Sequence, residues 1–222
     1  MKVKLVSCSR PSKELQEQGI NNTQELIAYC ARVSNPSNQY NVETSEKLIK
    51  YLLKHKHFSP LEMSSACLEI TTTRDIARQI LRHRSFSFQE FSQRYADPTQ
   101  ELDFVYREAR LQDIKNRQNS IETEDTYLRE RWDAEQASVI LTVMKAYKWA
   151  IDNGVAKEQA RAVLPEGITE SKIYMQGTFR SWLHYIELRS GPETQKEHRE
   201  IAIACAKALE SEFPMFSEFT EN

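Results

Sequence analysis

Apolar positions along the 222-residue chain switch repeatedly between a two-residue and a three-to-four-residue period. Val3-Lys4-Leu5-Val6 alternates as a short opening strand, closed by the turn chemistry of Ser9-Arg10-Pro11. Thr23 is the expected cap of a helix whose apolar face is Leu26, Ile27 and Cys30, and a polar turn with Asn35, Pro36 and Asn38 follows. A second helix opens at Thr44 or Ser45 and carries Leu48, Ile49, Leu52 and Leu53 at amphipathic spacing. Ser59, Pro60 and Glu62 then read as a capping box at a third helix start, whose free N–H groups would favour an anion. The β-branched alternation of residues 65–72 predicts a strand. Thr73 caps the next helix, with Ile76, Ala77, Ile80 and Leu81 on its apolar side and Gln79, Arg82 and His83 sharing another face. Past Arg84 the alternation returns, placing Phe86 and Phe88 as core aromatics of an extended segment.

From Ala96 to Asp125 the pattern is weak and polar, which marks a peripheral insertion or lid, with a helix expected within Arg107 to Asn116. Glu124 to Asp152 is the longest helical stretch, stopped by Asn153-Gly154, and has a core and subunit-contact character. A short helix over 157–164 is broken by Pro165. Ile173-Tyr174-Met175 is a strand leading into a helix that runs from Thr178 to Arg189, where Arg180, His184 and Glu187 share a polar stripe opposite Trp182, Leu183 and Ile186. After Gly191-Pro192 a last helix is expected over 193–213, with Ile201, Ala204, Cys205 and Leu209 in the core. The whole reads as one α+β domain over 1–222: a mainly antiparallel sheet with packed helices.

Composition narrows the chemistry. A net charge of −2 and 40% hydrophobic residues exclude a broadly basic nucleic-acid surface and a disordered chain. Only 5 glycines occur, with no glycine-rich phosphate loop, so phosphates must be held by side chains or helix ends. Cys8, Cys30, Cys67 and Cys205 are dispersed among apolar residues, as expected of small buried hydrophobes in a reducing compartment such as the cytoplasm. No apolar run is long enough to span a bilayer. His55 and His57 lack a completing ligand set, so no metal is expected.

The densest chemistry is Arg82 to Tyr95, RHRSFSFQEFSQRY. Guanidiniums flanking an imidazole, with Ser92 and Arg94 beyond, supply forked donors suited to phosphate and to the carbonyl edge of a planar ring. The plain alternative is a basic helix end followed by a half-buried strand. A second is a nucleic-acid-binding module using Arg74, Arg78, Arg82, Arg84 and Arg94 on phosphates.

Arg82-His83-Arg84, seven residues and Ser92, continued by Gln93-Arg94, resembles the signature of the flavin-dependent thymidylate synthases. His57-x-Ser59-Pro60-x-Glu62 looks like that family's flavin-side segment, and Ala160-Arg161-x-Val163-Leu164-Pro165 like the segment whose arginine contacts the nucleotide. Leu188-Arg189 matches the catalytic arginine. The resemblance implies methylation of dUMP to dTMP with 5,10-methylenetetrahydrofolate as carbon donor, NADPH or NADH as reductant and bound FAD. It implies a dUMP site of Gln79, Arg82, Glu90, Phe91, Ser92, Gln93, Arg94, Arg161 and Arg189. Arg189 and Ser92 hold the catalytic positions, although no base beside Ser92 is evident, which puts nucleotide binding first for it. FAD contacts are implied for Ser34, His57, Ser59, Arg82, His83, Arg84, Glu90, Thr178, Arg180 and His184, where Thr178 and His184 replace asparagines frequent in the family. Glu90 also reads as the ion-pair partner of a neighbouring arginine. A homotetramer with sites shared between subunits, and no membrane or nucleic-acid partner, completes the implication.

Overall fold

In the computed structural model, which describes residues 1–220, the alternating segments form one four-stranded antiparallel sheet and helices cover it. In chain order the elements are strand β1 (Lys2–Cys8), helices α1 (Lys13–Glu17), α2 (Thr23–Ala31) and α3 (Ser45–Lys54), strand β2 (Ser65–Thr73), helix α4 (Arg74–Ile80), strand β3 (Ser87–Glu90) and helix α5 (Pro98–Glu101). Strands β4 (Arg110–Gln112) and β5 (Ser120–Glu122), helices α6 (Thr126–Asp152) and α7 (Lys157–Ala160), strand β6 (Glu170–Thr178), and helices α8 (Phe179–Arg189) and α9 (Lys196–Leu209) follow. The architecture is α+β, with sheet order β1-β2-β6-β3.

Alternation builds the centre. On β2, Ala66, Leu68, Ile70 and Thr72 are buried, and their partners across β6 are Gly177, Met175, Ile173 and Ser171, buried as well. One face of the central pair is therefore apolar and lies under α4, α8 and α9, where each fully buried Leu, Ile or Met contributes about 1.5–3 kcal/mol. The other face is half-exposed, and there the Tyr174 hydroxyl donates to Glu69 Oε2 across the strands (2.7 Å). Gly177 is required by contact, because a Cβ would meet the Phe86 ring at 2.4 Å.

The two central strands each run straight into a helix. Thr178 Oγ1 accepts from the Ser181 N–H (3.3 Å) and starts α8, and Thr73 stands at the N-cap of α4. Ser65 pairs with Thr178 and Thr73 with Glu170, so α4 and α8 leave opposite ends of the pair and fold back over the same face. Their C-termini consequently meet.

Several expectations are corrected. Asn22, not Thr23, caps α2, while Thr23 is buried and donates to the Ser9 carbonyl (3.0 Å). Ser59–Met63 is a 3-10 segment without a side-chain cap, too short for an anion-binding helix terminus, and Glu62 pairs with Arg180 instead of closing a capping box. Residues 107–116 hold no helix; β4 and β5 form a hairpin there. The 157–164 helix breaks at Ala160 into a 3-10 turn, and the last helix is shorter than expected, followed by 3-10 residues Pro214–Phe219. Helix α6 ends as expected at Asn153 and Gly154, the latter at φ 77°. It buries Ile140, Tyr147 and Ala150, yet leaves Val139, Leu141, Met144 and Trp149 exposed. Among the described residues no helix is long and apolar enough to cross a membrane.

Candidate active site

The candidate residues converge where α4 and α8 end. Helix α4 stops at Ile80, and the His83 N–H turns back to the Ile80 carbonyl (3.0 Å), so Arg82, His83 and Arg84 occupy a turn rather than the helix. Arg82 therefore does not share a face with Gln79: Arg82 is exposed, whereas Gln79 reaches towards α9. His83 Nε2 accepts from Nε of Arg189, the last residue of α8 (3.1 Å). A nitrogen that accepts from a guanidinium must be unprotonated. Burial, then the charges of Arg189, His184 and Arg82, lower the His83 pKa to about 4. Among the described residues Arg189 has no carboxylate partner, which leaves its terminal nitrogens for a ligand.

A second imidazole lies behind the first. His198 of α9 is 0% exposed and sits between Tyr185 Oη (3.2 Å from Nε2) and Gln79 Oε1 (3.2 Å from Nδ1). Burial, Arg189 and His83 lower its pKa to about 4. The sequence reading passed over it. Its signal was the spacing 198, 201, 205, 209, which puts a polar ring on the core-facing stripe of α9. Both histidines carry folded pKa values below the 6.5 of the free side chain, so the unfolded chain binds more protons between about pH 4 and 6.5. Stability should be full above pH 6.5 and fall as the pH drops through that window, with a slope approaching about 1.4 kcal/mol per pH unit for the buried His198. Urea denaturation at pH 7, 6 and 5 measures it; equal stability at all three would mean that the rings take up protons as readily in the fold as in the unfolded chain.

The other nucleotide candidates form a separate group. Glu90 Oε1 accepts from Ser171 Oγ (2.9 Å) and lies 3.5 Å from Arg74, the expected ion pair. Phe91 extends the β3 pairing to the Lys172 carbonyl (2.8 Å), and Gln93 is buried with Nε2 unpartnered among the described residues. Ser92 Oγ accepts only from the Arg94 N–H (3.4 Å), and no base touches it among the described residues. Arg94 pairs with Glu158 (3.4 Å), whose carbonyl accepts from Arg161 Nε (3.3 Å). Among the described residues no hydrogen bond joins this Arg94–Arg161 group to the His83–Arg189 group.

The flavin candidates are likewise divided. Arg180 pairs with Glu62 and lies 6.0 Å from the Phe58 ring centroid. Nearby, His184 lines a cavity of about 490 Å³ together with Lys56, Glu187 and Glu218 and the apolar Leu53, Phe58, Leu183, Met215 and Phe219. His57 and Ser59 are exposed at the adjoining 3-10 segment, while the Thr178 side chain is committed to capping α8. Ser34 lines a different cavity of about 540 Å³, beside Arg32, Asn35 and Lys47. Arg82 and Arg84 are exposed and, among the described residues, unpaired.

A third grouping was not foreseen. Arg107, at the base of the 96–125 segment, donates to Gly167 O (2.9 Å), Thr73 Oγ1 (2.6 Å) and Asp75 Oδ1 (2.7 Å), and lies 3.1 Å from Glu197 Oε2. Burial alone would raise the Glu197 pKa, but hydrogen bonds from its own backbone and Gln195, with the charges of Arg107 and Arg110, leave it lowered. These groups line a cavity of about 430 Å³ with Trp132 and Val139 of α6.

The sequence profile of the thymidylate synthase complementing proteins matches residues 15–215. The chain belongs to the flavin-dependent thymidylate synthase family. It is 47% identical over 218 residues to a probable flavin-dependent thymidylate synthase of Paramecium bursaria Chlorella virus 1, covering 98% of both chains. To the flavin-dependent thymidylate synthase of Synechocystis sp. it is 45% identical over 214 residues, covering 96% of both. In fold it resembles the UMP/dUMP methylase PolB of Streptomyces cacaoi, solved with 5-Br dUMP: TM-score 0.76, 22% identity, 98% of this chain and 93% of that one. Family membership agrees with the motif reading, and the ion pairs argue against the nucleic-acid alternative. Arg74, Arg78 and Arg94 are each engaged by a carboxylate, so the five arginines form no continuous free basic surface.

Proposed function

We propose that this protein methylates dUMP to dTMP, with FAD as cofactor, 5,10-methylenetetrahydrofolate as carbon donor and NADPH or NADH as reductant. The observation that carries the reading is the neutral His83 accepting from Arg189 beside the unpaired Arg82 and Arg84. Free guanidiniums suit the diphosphate of FAD, and the Phe58 and Phe219 rings in the cavity that His184 lines suit contact with an aromatic ring system. When bound, FAD supplies the electron carrier between reduced nicotinamide and the transferred carbon. Arg189, oriented by His83, presents its remaining N–H groups to the uracil edge and stabilises the negative charge that develops as C5 becomes a nucleophile.

Burial pushes up the thiol pKa values of Cys8, Cys30, Cys67 and, most strongly, Cys205, which keeps them protonated near neutrality and supports methyl transfer without a cysteine adduct on the ring. Ser92 serves nucleotide binding, with Gln79, Glu90, Phe91, Gln93, Arg94 and Arg161. The separation of Arg94 and Arg161 from Arg189, and of Ser34 from His184, fits a homotetramer in which copies complete each other's sites. The exposed apolar residues of α6 are the natural contact. The four free thiols fit a cytoplasmic setting.

The test is spectroscopic. Purified protein should be yellow or take up added FAD, its oxidised-flavin absorbance should bleach with reduced nicotinamide, and dTMP should form only when dUMP and the folate are both present. Failure to bind FAD after reconstitution would remove the reading.

A further inference from the structure

We propose that the cavity between α2 and α3 is a phosphate site, and that it takes the adenosine phosphate common to FAD and the reduced nicotinamides. The choice of ligand rests on the functional reading above, whereas the anion site rests on three positive groups that meet without a carboxylate. Arg32, the C-cap of α2, is 7% exposed and is the one buried arginine among the described residues. Its guanidinium donates to the Asn41 carbonyl and to Thr44 Oγ1 (2.9 Å), both neutral acceptors. Neither bond offsets its charge, and the fork keeps further N–H donors. Arg74, Arg107 and Arg110 are less deeply buried, yet each is held by a carboxylate, as a charge out of water ordinarily is.

The second positive group is the start of α3. Thr44 holds the N-cap position, but its side chain makes no capping bond and its oxygen accepts from Arg32 instead. The leading N–H groups of this ten-residue helix are thereby left for water or an anion. Lys47, in the same first turn, is the third group. A cation is disfavoured at a helix N-terminus, where Glu46 would be the favourable charge, yet Glu46 is turned to Lys50 (2.6 Å) and Lys47 lines the cavity. No acidic residue lines the cavity with them among the described residues. Guanidinium, ammonium and helix terminus therefore repel one another until an anion joins them.

A planar fork, a point charge and backbone donors together match the several oxygens of a phosphate. The cavity, about 540 Å³, has room for more than that group and lies in the size range of small-ligand sites. Tyr51, 53% exposed with its ring centroid 4.2 Å from that of His55, offers an aromatic surface to a base, and the Asn35 and Asn38 amides offer polar contacts. Ser34, a flavin candidate, lines the same cavity, which makes FAD one source of the adenosine phosphate. The reduced nicotinamide is the other.

The experiment replaces Lys47 by glutamate in the full-length protein. Glutamate is the favoured charge at a helix start, so the urea midpoint should hold or rise, and a loss of binding is then not a loss of folding. AMP titrated by calorimetry into the flavin-free protein should bind the wild type, and should bind Lys47→Glu roughly tenfold or more weakly, as expected for one lost charge-assisted contact. FAD uptake followed by flavin fluorescence, and the NADPH concentration that half-bleaches the bound flavin, name the source: a dinucleotide seated here weakens by a like factor. A merely structural Arg32 predicts no effect of Lys47→Glu on any of the three. AMP that fails to bind the wild type, that binds the variant equally well, or that weakens while FAD and NADPH are both unaffected would overturn the assignment and leave the functional reading standing. A wild type that takes up no FAD would remove that reading, while the AMP titration would still decide the phosphate site.

Discussion

Replacing Arg189 by alanine is expected to leave folding and FAD content intact and to lower dUMP-dependent turnover by roughly 100- to 1000-fold, the usual consequence of removing one preorganised donor to developing charge. A helix-terminal arginine engaged only with the macrodipole or a surface carboxylate would cost about 1 kcal/mol or less, in stability rather than rate. The geometry separates these roles. Arg189 donates through Nε to a neutral histidine, without a carboxylate partner among the described residues, so its charge is not spent inside the protein. Lysine in its place supplies a point charge but no planar fork, and Arg189→Lys should recover only part of the rate. Single-turnover methylation at saturating dUMP is the measurement. A near-normal rate for Arg189→Ala would remove Arg189 from the chemistry.

Arg107→Ala should produce the largest loss of stability of any single charge removal in the chain, about 3–5 kcal/mol, because it strands partners that burial keeps from water. Its side chain is 15% exposed and that of Glu197 11%, whereas the Lys50–Glu46 pair on α3 is open to solvent at 55% and 63%. Removing Lys50 should therefore be close to neutral. Arg107→Lys keeps the charge yet cannot reach Gly167, Thr73, Asp75 and Glu197 together, and should recover only part of the loss. Urea midpoints with an unchanged m-value give the comparison; a loss below about 1 kcal/mol would mean that Arg110 alone satisfies Glu197.

How far the sequence foretold the molecule depended on whether the deciding contacts were local. The alternation in β2 and β6 was legible because one face of each is buried, and the Arg82–Arg84 motif because its residues are contiguous. The Ser59-Pro60-Leu61-Glu62 pattern satisfied a local capping rule, but the chain turns into β2 at Ser65, and Glu62 is taken by Arg180, 118 residues away. The β4–β5 hairpin carries no glycine in its turn. Asp113 does that work by accepting from the Lys115 and Asn116 N–H groups (2.8 and 3.1 Å), a signal weaker than apolar periodicity. His198 was hidden because its partners, Gln79 and Tyr185, lie on other helices. The split of the nucleotide residues into two groups depends on Glu158 meeting Arg94, a tertiary contact no spacing announces.

The meeting of α4 and α8 also bears on the order in which the molecule is made. Both helices are positioned by strands β2 and β6, whose paired residues stand about 100 positions apart in the chain. Closing so long a loop costs entropy before any side-chain contact rewards it, which places this protein among the slower, high-contact-order folders. During synthesis the β2–β6 ladder has no second strand until residues 170–178 have left the ribosome, and the His198 ring arrives later still. The 27-residue helix α6 needs no such partner for its backbone bonds and is complete before β6 exists. Between the completion of α6 at Asp152 and the emergence of β6 and α9, then, the chain carries a finished long helix with apolar residues in the open and an unfinished site, and that interval is when it is most exposed to misassociation.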